Sequence, residues 1–174
     1  MEAFFQEVSI CEPMTIGISN RQRTERINVR WLRQVTCALL TDLEQVDAEL
    51  GIHLVGAKEM ARVNWQFLRH EGSTDVITFD HRALDSALPT ATGRIHGELF
   101  ICVDDAVAQA IAFQTSWQSE VVRYVVHGIL HLLGHEDVQP DLRRKMKRAE
   151  NRLVRRLEQR FSLADLSRPV RISS

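Results

Sequence analysis

Apolar and polar positions change period along the chain, and the changes mark out alternating strands and helices. Thr15 to Ser19 alternates in the manner of a short half-buried strand. From Val29 to about Leu40 the apolar positions Leu32, Val35, Leu39 and Leu40 keep helical spacing, and Asn28 is placed to cap that helix. Glu49 to Val55 alternates again, with Leu50, Ile52 and Leu54 on one face and His53 on the other. A second helix is predicted from about Lys58 to Leu68, with Met60, Val63 and Phe67 as its buried stripe and Gly72 as its stop. Ser73 to Phe79 reads as a turn feeding a β-rich run. Residues 80 to 95 read as a loop broken by Pro89 and Gly93, and Gly97 to Val103 as the next strand. Asp104 and Asp105 open a helix at its positive end. After a break at Ser116 to Ser119, Glu120 begins a buried helix through Val121 to Val126. The last helix follows Pro140 and runs to about Phe161, with Leu142, Met146, Ala149, Leu153 and Leu157 as its apolar stripe.

Composition narrows this picture. A chain of 174 residues fits one domain with a sizeable core. The expected layout is an irregular leader over 1–14, a single domain over 15–161 and a tail over 162–174. Hydrophobic content of 44% and charged content of 26% are ordinary for a soluble globular protein. Cys11, Cys37 and Cys102 form no C-x-x-C pair, which argues against a disulfide framework and for a reducing cytoplasm. The first residues carry no basic region or long apolar run, so no signal peptide is expected. No stretch approaches the roughly 20 apolar residues that span a membrane. The formal net charge of −1 hides an asymmetry. From Asp141 to Phe161 there are nine Lys/Arg against three Asp/Glu, a local excess of +6 that leaves −7 for the rest. Such a run is a solvated face, or, beside a nuclease site, a holder of RNA phosphates.

The chemistry concentrates in His127-Gly-Ile-Leu-His131-Leu-Leu-Gly134-His135-Glu136-Asp137. His127 and His131, four apart, project from one helical face. Gly134 ends the helix, because glycine takes the left-handed conformation at little cost. The chain then reverses, and residues 135 to 137 swing back toward the histidines. Two imidazoles and a third ligand after a glycine turn make a catalytic zinc site with a fourth position open. Zinc proteases with this histidine spacing carry Glu directly after the first His as general base. Here that residue is Gly128, which argues against a peptidase.

The stretch closely resembles the signature of the YbeY endoribonuclease family, the bacterial rRNA maturation factors, whose pattern is H-G-x-L-H-L-x-G-[YH]-D-H. The match is residue for residue from His127 to Gly134. It then departs: Glu136 stands at the family's Asp position and Asp137 at its third histidine. The resemblance implies His127 and His131 as metal ligands and, by substitution of carboxylate for imidazole, Asp137 as the third, with His135 as its rival. It also implies one Zn2+ per chain, although nickel or another divalent ion suits the same nitrogen–oxygen set. Asn64, Arg69 and Thr74-Asp-Val-Ile-Thr-Phe79 resemble a second family block. There Arg69 takes a catalytic role, its guanidinium able to stabilise phosphate charge. Asp75 is expected to form the turn before its strand. Glu98 matches the family's acidic strand position, with anchoring of the loop as its favoured role. His81 and His96, which bracket that loop, are further ligand candidates.

The resemblance covers roughly residues 45 to 138. It implies an α+β fold: a small, mostly parallel sheet of about four strands packed with about five helices, with a metalloprotease-like zinc-site arrangement. The implied activity is single-strand-specific, metal-dependent endoribonuclease action in 3′-end maturation of small-subunit rRNA and in ribosome quality control. Attack by water and attack by the RNA 2′-hydroxyl both remain open. Ribosomal proteins and an assembly GTPase are the implied partners. Two other readings stand beside it: a ribosome-assembly binding protein with a structural zinc, and a metal-dependent hydrolase of another class.

Overall fold

The computed structural model describes residues 14–82 and 94–167. Four strands form one sheet: β1 (Thr15–Asn20), β2 (Ala48–Val55), β3 (Val76–Asp80) and β4 (Ile95–Cys102), in the order β1-β2-β4-β3. β1 and β4 both run parallel to β2, while β3 is an antiparallel edge strand against β4. Five helices accompany it: α1 (Val29–Asp42), α2 (Ala57–Leu68), α3 (Val103–Phe113), α4 (Trp117–Leu132) and α5 (Pro140–Arg160). The fold is therefore the α+β arrangement expected, with a mostly parallel four-stranded sheet.

Period-two alternation sorts the sheet into two faces. Leu50, Ile52 and Leu54 of β2 stand beside Gly97, Leu99 and Ile101 of β4, and this face carries the main core. α4 lies on it, with Val121, Val122, Val126 and Ile129 fully buried, and α5 packs on α4 through Met146, Leu153 and Leu157. The opposite face carries a smaller core of Val55, Met60, Val63, Ile77 and Cys102 beneath α2. Two glycines set the spacing of α4 on the sheet. A Cβ at Gly128 would lie 2.7 Å from Leu99 Cδ2, and one at Gly97 would lie 2.8 Å from Leu132 Cδ2 and 2.5 Å from the Phe79 carbonyl. No side chain fits between the helix and β4 at these points.

Local signals account for most boundaries. Asn28 caps α1 by accepting from the Trp31 N–H at 3.0 Å. Ser116 accepts from the Ser119 N–H at 3.1 Å and starts α4 at Trp117, one turn ahead of the expected Glu120. β4 begins at Ile95, so the predicted loop ends early, and its residues 83–93 lie outside the described residues. α2 departs from its predicted stripe. Phe67 is 56% exposed, because the last turn reaches the edge of the sheet, where it meets Phe79 edge-on at 5.0 Å. Asn64 is buried instead and donates to the Gly72 carbonyl at 2.9 Å. The helix stops at Arg69, which takes the left-handed conformation itself (φ 56°), before Gly72 is reached. The predicted leader lies outside the described residues, apart from Met14. Part of the predicted tail is structured: Leu163–Ser167 form a 3-10 helix with Leu166 buried, and the Leu166 carbonyl accepts from the Asn28 N–H at 2.7 Å.

Candidate metal centre

The site grows from one polar stripe on an otherwise apolar helix. Arg123, His127 and His131 recur at four-residue intervals along α4, on the side turned to α5. The end of the helix is closed by paired backbone bonds. The Gly134 N–H donates to the His131 carbonyl at 2.9 Å and the His135 N–H to the Leu130 carbonyl at 3.0 Å, with Gly134 at φ +89°. This glycine-centred reversal is the one expected. It returns Asp137 to the two histidines, its Oδ2 lying 3.9 Å from the Nε2 atom of each. One ligand atom from each of His127, His131 and Asp137 falls within 4.8 Å of the others.

Hydrogen bonding at the far side of each ring fixes what faces the centre. His131 Nδ1 lies 2.9 Å from the His135 carbonyl, which can only accept, so Nδ1 carries the proton. His127 Nδ1 lies 3.0 Å from Glu150 Oε2. Burial pushes the Glu150 carboxyl up, but hydrogen bonds from His127, Arg123 and Lys147 outweigh it and bring the group down to about 2. Glu150 is therefore ionised and accepts from His127. In the neutral imidazoles both Nε2 atoms then present lone pairs, and they face one another at 3.0 Å. Such an approach is favourable only with a cation or proton between them. Two oriented nitrogens and a carboxylate oxygen fit the donor set of zinc, and the outer bonds to a carboxylate and a carbonyl are those that orient metal-binding histidines.

His127 and Asp137 open on a cavity of about 530 Å³ whose lining also includes Arg123, Lys147 and Asn151. Arg123 Nη1 donates to Glu150 Oε1 at 2.6 Å and to Asn151 Oδ1 at 2.8 Å, and Lys147 Nζ reaches Glu150 Oε1 at 2.9 Å. The Tyr124 hydroxyl on the same wall has no partner among the described residues, and burial raises its pKa. Sequence reading missed Glu150, Arg123 and Asn151. Arg123 was legible as the residue four before His127. Glu150 was legible only as a charge beside Ala149 on the apolar stripe of α5.

The other predicted residues separate into two groups. His135 is exposed, and its side chain borders a different cavity with Leu142 and Lys145, so Asp137 is the residue brought to the histidines. Asp75 forms its turn, accepting from the Val76 N–H at 2.8 Å. Arg69 is exposed at the end of α2, its guanidinium 5.8 Å from the Trp65 ring centre, and no bond joins it to the histidines among the described residues. Glu98, His53 and His81 lie on the sheet face opposite α4. There Glu98 bonds His53 Nε2 and His81 Nε2 at 2.9 Å each, while Ser19 Oγ bonds His53 Nδ1 at 2.9 Å. These bonds, His53 first, hold the Glu98 carboxyl below its usual range against the opposing effect of burial. His96 is on this face too, with Nε2 3.9 Å from Glu49. Gly128 gains a packing reason: a Glu there would enter the core against Leu99, away from the histidines.

Comparison with known proteins supplies the family. A family model described as Endoribonuclease YbeY matches residues 17–158. The Endoribonuclease YbeY of Syntrophotalea carbinolica is 32% identical over 107 residues, covering 61% of this chain and 69% of its own. That of Alkaliphilus metalliredigens is 26% identical over 113 residues, covering 63% and 73%. The solution structure of a Thermotoga maritima protein matches the fold with a TM-score of 0.60 at 20% identity, over 92% of this chain and 100% of that one. The chain belongs to the YbeY endoribonuclease family.

Proposed function

We propose that this family member is a single-strand-specific, zinc-dependent endoribonuclease that acts in 3′-end maturation of small-subunit rRNA and in ribosome quality control. The observation that carries this reading is the convergence of the two Nε2 atoms and the Asp137 carboxylate, with His127 and Asp137 lining a cavity. His127, His131 and Asp137 would hold one zinc ion. When bound, zinc supplies a Lewis acid for a phosphodiester oxygen. Glu150 and the His135 carbonyl each engage the Nδ1 of one imidazole, which fixes the ring in rotation and turns its Nε2 toward the centre. Arg123 and Lys147 place positive charge on the wall that a phosphate would meet, while offsetting Glu150. We assign Arg69 to the scissile phosphate on the strength of its motif and its exposed guanidinium, which makes no ion pair among the described residues. Ribosomal proteins, an assembly GTPase and a cytoplasmic setting belong to the same reading. No helix among the described residues is long and apolar enough to cross a membrane.

The test is cleavage of a labelled single-stranded RNA by wild type, His131→Ala and Arg69→Ala, with zinc assayed on the same samples. Wild type is expected to hold about one zinc per chain and to cut. His131→Ala should lose both, and Arg69→Ala should keep the metal and lose cleavage. Equal cleavage by wild type and His131→Ala refutes the metal-dependent reading.

A further inference from the structure

The outer face of α5 carries a second feature that the metal centre does not use. Arg148, Asn151, Arg152, Arg155, Arg156 and Gln159 line a groove of about 400 Å³. They fall at helical intervals along one face, over about 16 Å of helix at 1.5 Å per residue. The four arginines are exposed and make no ion pair among the described residues. Four of the five other cations of α5 are engaged: Arg144 with Asp141, Lys147 with Glu150 and Arg160 with Asp42, while Arg143 donates to the Asp137 carbonyl. Like charges three and four residues apart destabilise a helix, so this face carries a cost that no ion pair among the described residues offsets. The groove is also continuous with the site. Asn151 lines both it and the metal-site cavity, and follows Glu150, which holds His127.

Building on the endoribonuclease reading above, we infer that this groove is the track along which the RNA strand leaves the metal centre, its phosphates held by Arg148, Arg152, Arg155 and Arg156. Guanidinium groups bind phosphate oxygens in forked pairs, so the four arginines supply contacts to the backbone.

The experiment is anisotropy of the zinc-loaded full chain with labelled oligouridylate across a salt series, read before cleavage. It compares wild type, Arg152→Gln/Arg155→Gln and the charge-retaining Arg152→Lys/Arg155→Lys. Removing one arginine–phosphate pair should reduce the log–log salt slope by about 0.7, hence by about 1.4 for the glutamine double variant. Affinity should fall with it, while zinc content and melting temperature stay at wild-type values. The lysine double variant should keep the slope. A glutamine double variant with the wild-type slope, in a chain whose wild type cuts RNA, overturns the groove alone. Wild type that neither binds nor cuts RNA overturns the enzymatic reading itself. Equal loss of binding to an oligoglutamate of matched charge makes the groove an acidic-protein site and also overturns the inference.

Discussion

Replacing Glu150 by Gln removes one charge from the most connected group of the site and leaves its shape. The carboxylate is 3% exposed and bonded to His127, Arg123 and Lys147 at 3.0, 2.6 and 2.9 Å. Held at about 2 against a usual 4.5, it contributes roughly 3 kcal/mol of stability at neutral pH, at about 1.4 kcal/mol per pH unit. The folded value is the depressed one. The contribution is therefore complete above about 4.5 and is lost as pH falls toward 2. Urea unfolding of metal-free wild type and Glu150→Gln between neutral and acid pH measures it. The expected gap is about 3 kcal/mol at pH 7, shrinking steadily below pH 4.5. The same substitution should weaken zinc binding by about ten- to a hundredfold in a chelator competition, because His127 loses an ionic partner at Nδ1. A stability gap that stays constant with pH, or unchanged zinc affinity, would refute the assignment of Glu150 as the residue that orients His127.

Two further outcomes follow from the packing and the ligand set. Asp137→His restores the family's third imidazole on the same turn and should retain about one zinc per chain; loss of metal would mean that the turn after Gly134 cannot present an imidazole. Gly97→Ala drives a methyl to 2.5 Å from the Phe79 carbonyl and into Leu132, so it should destabilise by about 1–3 kcal/mol. An unchanged urea midpoint would show that β3 and α4 separate freely from β4.

The parts of the site that were legible in sequence share one property, locality. His127, His131, Gly134 and Asp137 lie within one helix end and one turn, so spacing alone fixes their relation. Glu150 comes 23 residues after His127 on another helix, and only the packing of α5 on α4 brings them together. The relay of Ser19, His53, Glu98 and His81 needs the strand order, with β2 and β3 on either side of β4, which no periodicity encodes. Phe67 shows the converse. Its spacing matches a buried stripe, but helical period is blind to where the sheet beneath the helix ends. The extra turn of α4 was legible in Ser116, a strong capping residue three before Ser119.

The carboxylate at position 137 also connects the site to the basic helix. A carboxylate in place of an imidazole adds a negative charge beside a bound metal and lowers the net positive charge there. An isolated substitution of that kind would weaken attraction for a phosphodiester. In this chain the cavity wall holds the cations Arg123, Arg143 and Lys147 beside the carboxylates Asp75, Glu120, Asp137 and Glu150, so the wall alone does not offset Asp137. Arg143 and Lys147 come from α5, whose arginines continue past Asn151. The cationic surplus lies further along α5, at Arg148, Arg152, Arg155 and Arg156. A site with Asp137 can stay attractive to RNA because α5 is basic, and the departure from the family signature and the charge asymmetry of the chain become two sides of one electrostatic balance.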